Sequence, residues 1–188
     1  GNRSGKFDDN LENYIEIPSD RVPFEERPWM KCAEITDKVC EEIENGKYRF
    51  IRLNFPNGDM VGHTGVYPAT VIGVASVDLC LGRILAAVKE AGGVMVVSAD
   101  HGNADDMFEH DKKTGAVLMN KERGVTKVKT SHSLNPVPVY IYDPSASAKI
   151  RLSEHKGLGI SSLAATCLKL LGFTPPEDYD PSVVDLGG

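Results

Sequence analysis

The chain has 188 residues, a length that suits one domain and buries about two thirds of the surface its unfolded form would expose. With 41% hydrophobic and 26% charged residues, and Gly and Pro spread throughout, it is neither disordered, collagenous nor coiled coil. Lys and Arg number 21 against 27 Asp and Glu, a net charge of -6, which argues against a general nucleic-acid or anionic-membrane surface and requires any anionic substrate to be attracted locally.

Residues 1–29 carry one expected strand, Tyr14–Ile17, followed by a Pro-rich crossing through Pro18, Pro23 and Pro28. The N-terminus has no apolar signal-peptide core, and without an initiator Met it reads as a piece of something longer. From Met30 to Asn45, Cys32, Ile35, Val39 and Ile43 recur at helical spacing with Lys and Glu opposite, and Gly46 stops the helix. Tyr48–Phe55, YRFIRLNF, reads as a strand ending at the Pro56-Asn57-Gly58 turn. Pro68 opens a long helix whose apolar stripe runs from Val71 to Val88 and ends at Gly92-Gly93. Val94–Asp100 is a continuous apolar run suited to a strand covered on both faces.

Strand, helix and strand in this order predict a βαβ unit with parallel strands, hence an α/β sheet flanked by helices. Residues 106–131 are polar, carry six basic side chains and predict an excursion or hairpin. Val137–Tyr142 follows as a strand and Ile160–Leu171 as a last helix, stopped by Gly172. Leu79–Val97 is broken by Arg83, Lys89 and Glu90, so no bilayer-spanning segment is expected. Cys32, Cys40, Cys80 and Cys167 are far apart, with no CxxC pair, which predicts buried free thiols in a reducing cytoplasm.

The histidines carry the chemistry, because three of the five stand at the ends of expected strands, where open α/β sheets collect ligands. In Asn57–Gly65, NGDMVGHTG, the i,i+4 spacing puts Asp59 and His63 on one side of a single turn, where both can bind one metal. An Asp59 that merely caps a helix is the structural alternative. In Ser98–Asp105, SADHGNAD, a strand ends in adjacent Asp100 and His101. An unpaired buried Asp100 would be expensive, so a cation or a capping role must neutralise it. His132, in TSHSLNPVP, precedes the next strand. Three His and two Asp form a mixed nitrogen and oxygen set that suits Mn²⁺, Co²⁺ or Zn²⁺ and lacks the thiolates of a structural zinc site. Two such ions about 4 Å apart can clamp a phosphoryl group. His110 and His155 read as surface residues.

These motifs, NFPNGDMVGHTG, SADHGNAD and SHSLNPVP, resemble in order and spacing the C-terminal metal-binding segments of the cofactor-independent phosphoglycerate mutases of the alkaline phosphatase superfamily. The resemblance covers most of the chain, and the 106–131 stretch is similar to the longer form of plant and trypanosomatid members. It implies an alkaline-phosphatase-like, mostly parallel sheet flanked by helices. It also implies a dimetal site in which Asp59, His63 and His132 hold one ion and Asp100 and His101 contribute to the other. Manganese is the first choice of metal, with cobalt or zinc next. The family's activity is interconversion of 3- and 2-phosphoglycerate through a phosphoserine, with no diffusible bisphosphoglycerate. The family's nucleophilic Ser, a further Asp ligand and the inserted phosphotransferase domain have no counterpart in these residues. Residues 1–188 are therefore expected to be the C-terminal portion of the phosphatase domain, with an incomplete sheet and no activity alone. Another phosphohydrolase or phosphomutase of the superfamily, and a non-catalytic metal-binding module, are the alternative readings.

Overall fold

The computed structural model describes residues 5–146 and 149–187, so the Gly1–Ser4 start lies outside the described residues. Two amphipathic helices organise the interior. Helix α1 spans Cys32–Glu44 and α3 spans Tyr67–Glu90, with the one-and-a-half-turn helix α2, Asn57–Gly62, between them in sequence. α3 packs along both α1 and α2. Val39 of α1 meets Ile84 and Val88 of α3, and Ile35, Cys40 and Ile43 complete the seam from the α1 side. These are the apolar positions at helical spacing, buried because that spacing puts them on one face.

Strand β1, Met95–Ser98, leaves α3 through the Gly92-Gly93 turn and lays Met95 on the same cluster. Strands β2, Met119–Asn120, and β3, Val125–Thr126, form an antiparallel hairpin inside the polar excursion. Bridges between Phe108 and Val128 and between His110 and Val117 extend it. β4, Val139–Tyr142, pairs with β1 in the register Met95 to Tyr142 through Ser98 to Val139, which puts Tyr142 beside Met95 against the helices. Strand β5, Ile150–Leu152, helix α4, Ser162–Leu170, and strand β6, Val184–Leu186, close the chain, with β5 and β6 antiparallel.

Both long helices and the last helix stand where the periodicity places them, and five other expectations change, the first being that Tyr48–Phe55 forms no strand. The β1 ladder is antiparallel, and all paired strands among the described residues are antiparallel. Residues 51–55 are the cause. Ile51, Leu53 and Phe55 pack on the helical cluster while Arg52 and Asn54 face out, the alternation of a strand, yet the segment has no ladder partner among the described residues. The crossover rule fixes the direction of two strands only when they share a sheet, and these two segments share a core without being hydrogen-bonded neighbours. The residues of β1 are half-buried, so the strand is not covered on both faces. Tyr14–Ile17 forms no strand. Finally, α3 is by length and composition apolar enough to cross a membrane, with mean hydropathy 2.0, although most of its residues are not buried. The charges that interrupt Leu79–Val97 lie toward its C-terminal end, and the apolar stretch begins earlier.

The four cysteines are free, with Cys32 and Cys80 buried. Burial, reinforced by the neighbouring Cys80 thiol, pushes Cys32 up to about 11, so it remains a protonated packing residue at neutral pH.

Ile84 is 2% exposed at the centre of the α1/α3 seam. Ile84→Ala is expected to lower unfolding stability by about 2–4 kcal/mol in urea titrations, the usual effect of deleting a buried branched side chain. Lys112→Ala, on the exposed excursion, is expected to stay within about 0.5 kcal/mol.

Candidate metal centre

Helix α2 builds the first half of the site. Asn57, fully buried, donates its side-chain N–H to the Pro28 carbonyl at 2.8 Å and so ties the helix start to the chain ahead of α1. Val61, also fully buried, is the apolar anchor of α2. Asp59 lies in the first turn and His63 is the C-cap residue, whose backbone N–H donates to the Asp59 carbonyl at 2.9 Å. The i,i+4 relation thus places both side chains on one side of the turn. Asp59 does not cap the helix, since Pro56 is the N-cap residue. The next residues reverse the chain at Gly65, φ +72°, against Val128 and Thr130 of the returning excursion.

That contact decides the state of His63. Its Nδ1 stands 2.5 Å from the Thr130 carbonyl oxygen, an atom that only accepts, so Nδ1 carries the proton and donates it there. In the neutral ring Nε2 then holds a lone pair, and it points at the Asp59 carboxylate.

The second half comes from the end of β1 and the segment before β4. The Ser133 N–H donates to the Gly102 carbonyl at 2.8 Å, pairing the two segments for one step. Gly102 has no room for a side chain, because a Cβ would overlap Ser133 Oγ and lie 2.5 Å from Asp105 Oδ1. Asp105 fastens the pair: its Oδ2 accepts from Ser133 Oγ at 2.8 Å and from Asn135 Nδ2 at 2.6 Å. Desolvation pushes the Asp105 carboxyl upward. The donors Asn135 and Ser133, with backbone N–H groups of Asp105 and Asn103, outweigh it and hold the group below its ordinary value of 3.8. The clasp brings His132 face to face with His101, ring centroids 3.6 Å apart and 16° from parallel.

Three atoms then meet at one point. Asp59 Oδ1 is 3.0 Å from His63 Nε2 and 3.0 Å from His132 Nε2, and the two Nε2 atoms are 3.1 Å apart. Asp59, His63 and His132 are the group of potential metal ligands found among the described residues. A tetrahedral ion with metal–ligand bonds of about 2.0–2.1 Å sets its ligands about 3.3 Å apart, so this triangle is close to the spacing a small divalent cation requires. His101 stands behind it, with Nδ1 4.0 Å from Asp59 Oδ1, buried and without a hydrogen-bond partner. Asp100 is at the rim, Oδ1 3.6 Å from His101 Nε2.

All five expected residues therefore form one chain of contacts no longer than 4.0 Å, three of them around a single point. Asp100 differs from expectation in being exposed, its side chain 84% accessible, so no burial penalty demands a cation there. His155 is exposed, as expected. His110, also on the surface, has Nε2 3.3 Å from Asp106 Oδ1. Sequence reasoning missed three contributors. The Thr130 group is a backbone carbonyl and has no side-chain signature. Asn103 and Asp105 are legible only as the polar residues that follow His101.

The Asp105 clasp has a pH signature. A depressed carboxyl contributes stability that is present above its ordinary value of 3.8 and lost as pH falls through the lower folded value. In metal-free protein, Asp105→Asn is expected to cost stability at pH 6 and much less near pH 3, measured by urea unfolding at both. An equal cost at both pH values would show that Asp105 is not charged in the clasp.

Known proteins resemble this chain in sequence and fold. The model of the Metalloenzyme superfamily matches residues 1–175. The chain is 44% identical over 187 residues to the 2,3-bisphosphoglycerate-independent phosphoglycerate mutase of Trypanosoma brucei brucei. It is 45% identical over 188 residues to a probable enzyme of the same name from Arabidopsis thaliana. Each alignment covers 99% of this chain but 34% and 33% of the relative, so the chain spans about a third of the length of the curated relatives it matches. A crystal structure of Leishmania mexicana phosphoglycerate mutase at low cobalt concentration superposes with a TM-score of 0.93 at 45% identity, over 100% of this chain and 34% of that one. The expected alkaline-phosphatase-like α/β fold is thus the fold of this chain, and the chain belongs to the metalloenzyme superfamily.

Proposed function

We propose that Asp59, His63 and His132 hold one divalent cation, that His101 and Asp100 contribute to a second, and that residues 1–188 form the C-terminal portion of a phosphatase domain. The protein carrying this site interconverts 3- and 2-phosphoglycerate through a phosphoserine on a residue outside these 188, with no diffusible bisphosphoglycerate. The observation that carries the reading is the triangle of 3.0, 3.0 and 3.1 Å between Asp59 Oδ1, His63 Nε2 and His132 Nε2. The His63 Nε2 lone pair and the Asp59 carboxylate repel at that distance unless positive charge lies between them.

The residues support a catalytic site over a structural one. Three protein ligands with His63 and His132 on the surface leave coordination positions open, whereas structural sites close all four. Mn²⁺ is the first candidate, with Co²⁺ and Zn²⁺ behind it, since all three accept mixed imidazole and carboxylate ligands. When bound, such ions supply the concentrated positive charge that a transferring phosphoryl group requires. The chain's own groups orient the site. Thr130 fixes the tautomer of His63, and the stack on His101 sets the plane of His132. In a chain of net charge -6, that local cation charge is what draws an anionic substrate to the site.

Replacing Asp59, His63 or His132 by Ala in the full-length protein is expected to lower bound Mn²⁺ or Co²⁺ by more than about tenfold and to abolish turnover. Elemental analysis after gel filtration measures the first and an assay of phosphoglycerate interconversion the second. Undiminished metal content in all three variants would sink the assignment. Metal should also raise the melting temperature of the wild type by mass action, by about 2.7 kcal/mol of stability at a hundredfold excess over Kd. The same titration should leave His63→Ala flat.

A further inference from the structure

We infer that Asn103 is a positioning residue for this site, holding Asp59 in the orientation that faces both imidazoles, and that residue 62 is glycine in order to admit it. The inference rests on the metal-site reading above. Asn103 is 4% exposed, and its Nδ2 donates to Asp59 Oδ1 at 3.4 Å, the same oxygen that stands 3.0 Å from His63 and from His132. An ionised carboxylate only accepts, so the NH₂ end of the amide must face Asp59. The other end is thereby turned into α2, where Oδ1 is buried and has no hydrogen-bond partner. A buried carbonyl without a donor is unfavourable, so the amide is not oriented for its own satisfaction. Asp59 sets it.

Gly62 explains how the amide fits. A Cβ on residue 62 would overlap Asn103 Oδ1 and lie 3.0 Å from its Cγ. Residue 62 is the last residue of α2, directly before His63, a place where glycine weakens a helix relative to alanine. No turn accounts for it, because Gly62 is not among the residues of positive φ. The space taken by the Asn103 amide does. Without that amide the Asp59 carboxyl is free to rotate about its last torsion, and the oxygen shared by both imidazoles is no longer held.

The test uses Asn103→Ala, Gly62→Ala and the double variant in the full-length protein. Co²⁺ affinity is measured by competition with a chelator, and the visible absorption of bound Co²⁺ reports its coordination. Asn103→Ala is expected to weaken Co²⁺ about tenfold or more and to change the cobalt spectrum. Gly62→Ala, which favours the helix, is expected to do the same by driving the amide off Asp59. The double variant should bind no more weakly than Asn103→Ala alone, because the new methyl then occupies vacated space. Wild-type affinity and spectrum in Asn103→Ala overturn the inference and leave the metal site standing. So does a Gly62→Ala loss that persists in full in the Asn103→Ala background. If wild type takes up no Co²⁺, or His63→Ala takes it up equally well, the metal site itself falls and Asn103 with it.

Discussion

A carboxylate oxygen and two imidazole nitrogens held about 3 Å apart are the constraint on which the rest of the structure depends. Asp59 Oδ1 and His63 Nε2 meet His132 Nε2 across 69 residues, and the His63 Nε2 lone pair faces the carboxylate at 3.0 Å, an approach that only positive charge between them makes favourable. The fold supplies that approach through groups that are not themselves ligands. The Thr130 carbonyl orients one imidazole, and the Gly102–Ser133 bridge with the Asp105 clasp delivers the other. The site is thus a backbone construction with side chains hung on it, and precision resides in the short hydrogen bonds behind the three side chains.

That construction is made at the expense of local stability. Buried His101 Nδ1 and Asn103 Oδ1 lack hydrogen-bond partners, and each such group costs about 1–3 kcal/mol against a satisfied one. Gly62 and Gly102 give up helix or strand preference so that polar side chains can press on the backbone. These departures cluster within a few residues of Asp59, His63 and His132, while the α1/α3 seam of Val39, Ile84 and Val88 follows ordinary packing rules. Unsatisfied atoms and missing side chains around one cluster, beside an otherwise regular core, are the pattern expected where a site overrides folding economy.

Local features were legible in the sequence and non-local ones were not. The Asp59/His63 pair could be read because both residues sit on one turn, and α1, α3 and α4 because their apolar periods are long. Residues 51–55 show the limit: Ile51, Leu53 and Phe55 alternate as a strand should, and they do pack inward, but alternation reports which face is buried and says nothing about which backbone lies alongside. The antiparallel pairing of β1 with β4, and of β5 with β6, joins segments far apart in sequence, for which the chain carries no local mark. Asp100 misled for a related reason. It ends an apolar run, yet the chain turns outward there and leaves its carboxylate in water. The Thr130 carbonyl was invisible because every residue has one.

The two halves of the site differ in how they are held together, and this governs what a cation can report. Asp59 and His63 are brought close by α2 alone, whereas His132 reaches them only when the excursion and the segment before β4 have closed on the β1 loop. Closing a long loop costs entropy that local contacts have not yet repaid. A cation joining all three atoms therefore draws its affinity from that tertiary closure, and in return stabilises it. Two ligands on a short helix would bind a divalent ion only weakly. The third makes metal affinity a measure of whether residues 100–105 and 130–135 are docked, so that assembly of the fold and assembly of the site are one equilibrium seen from two sides.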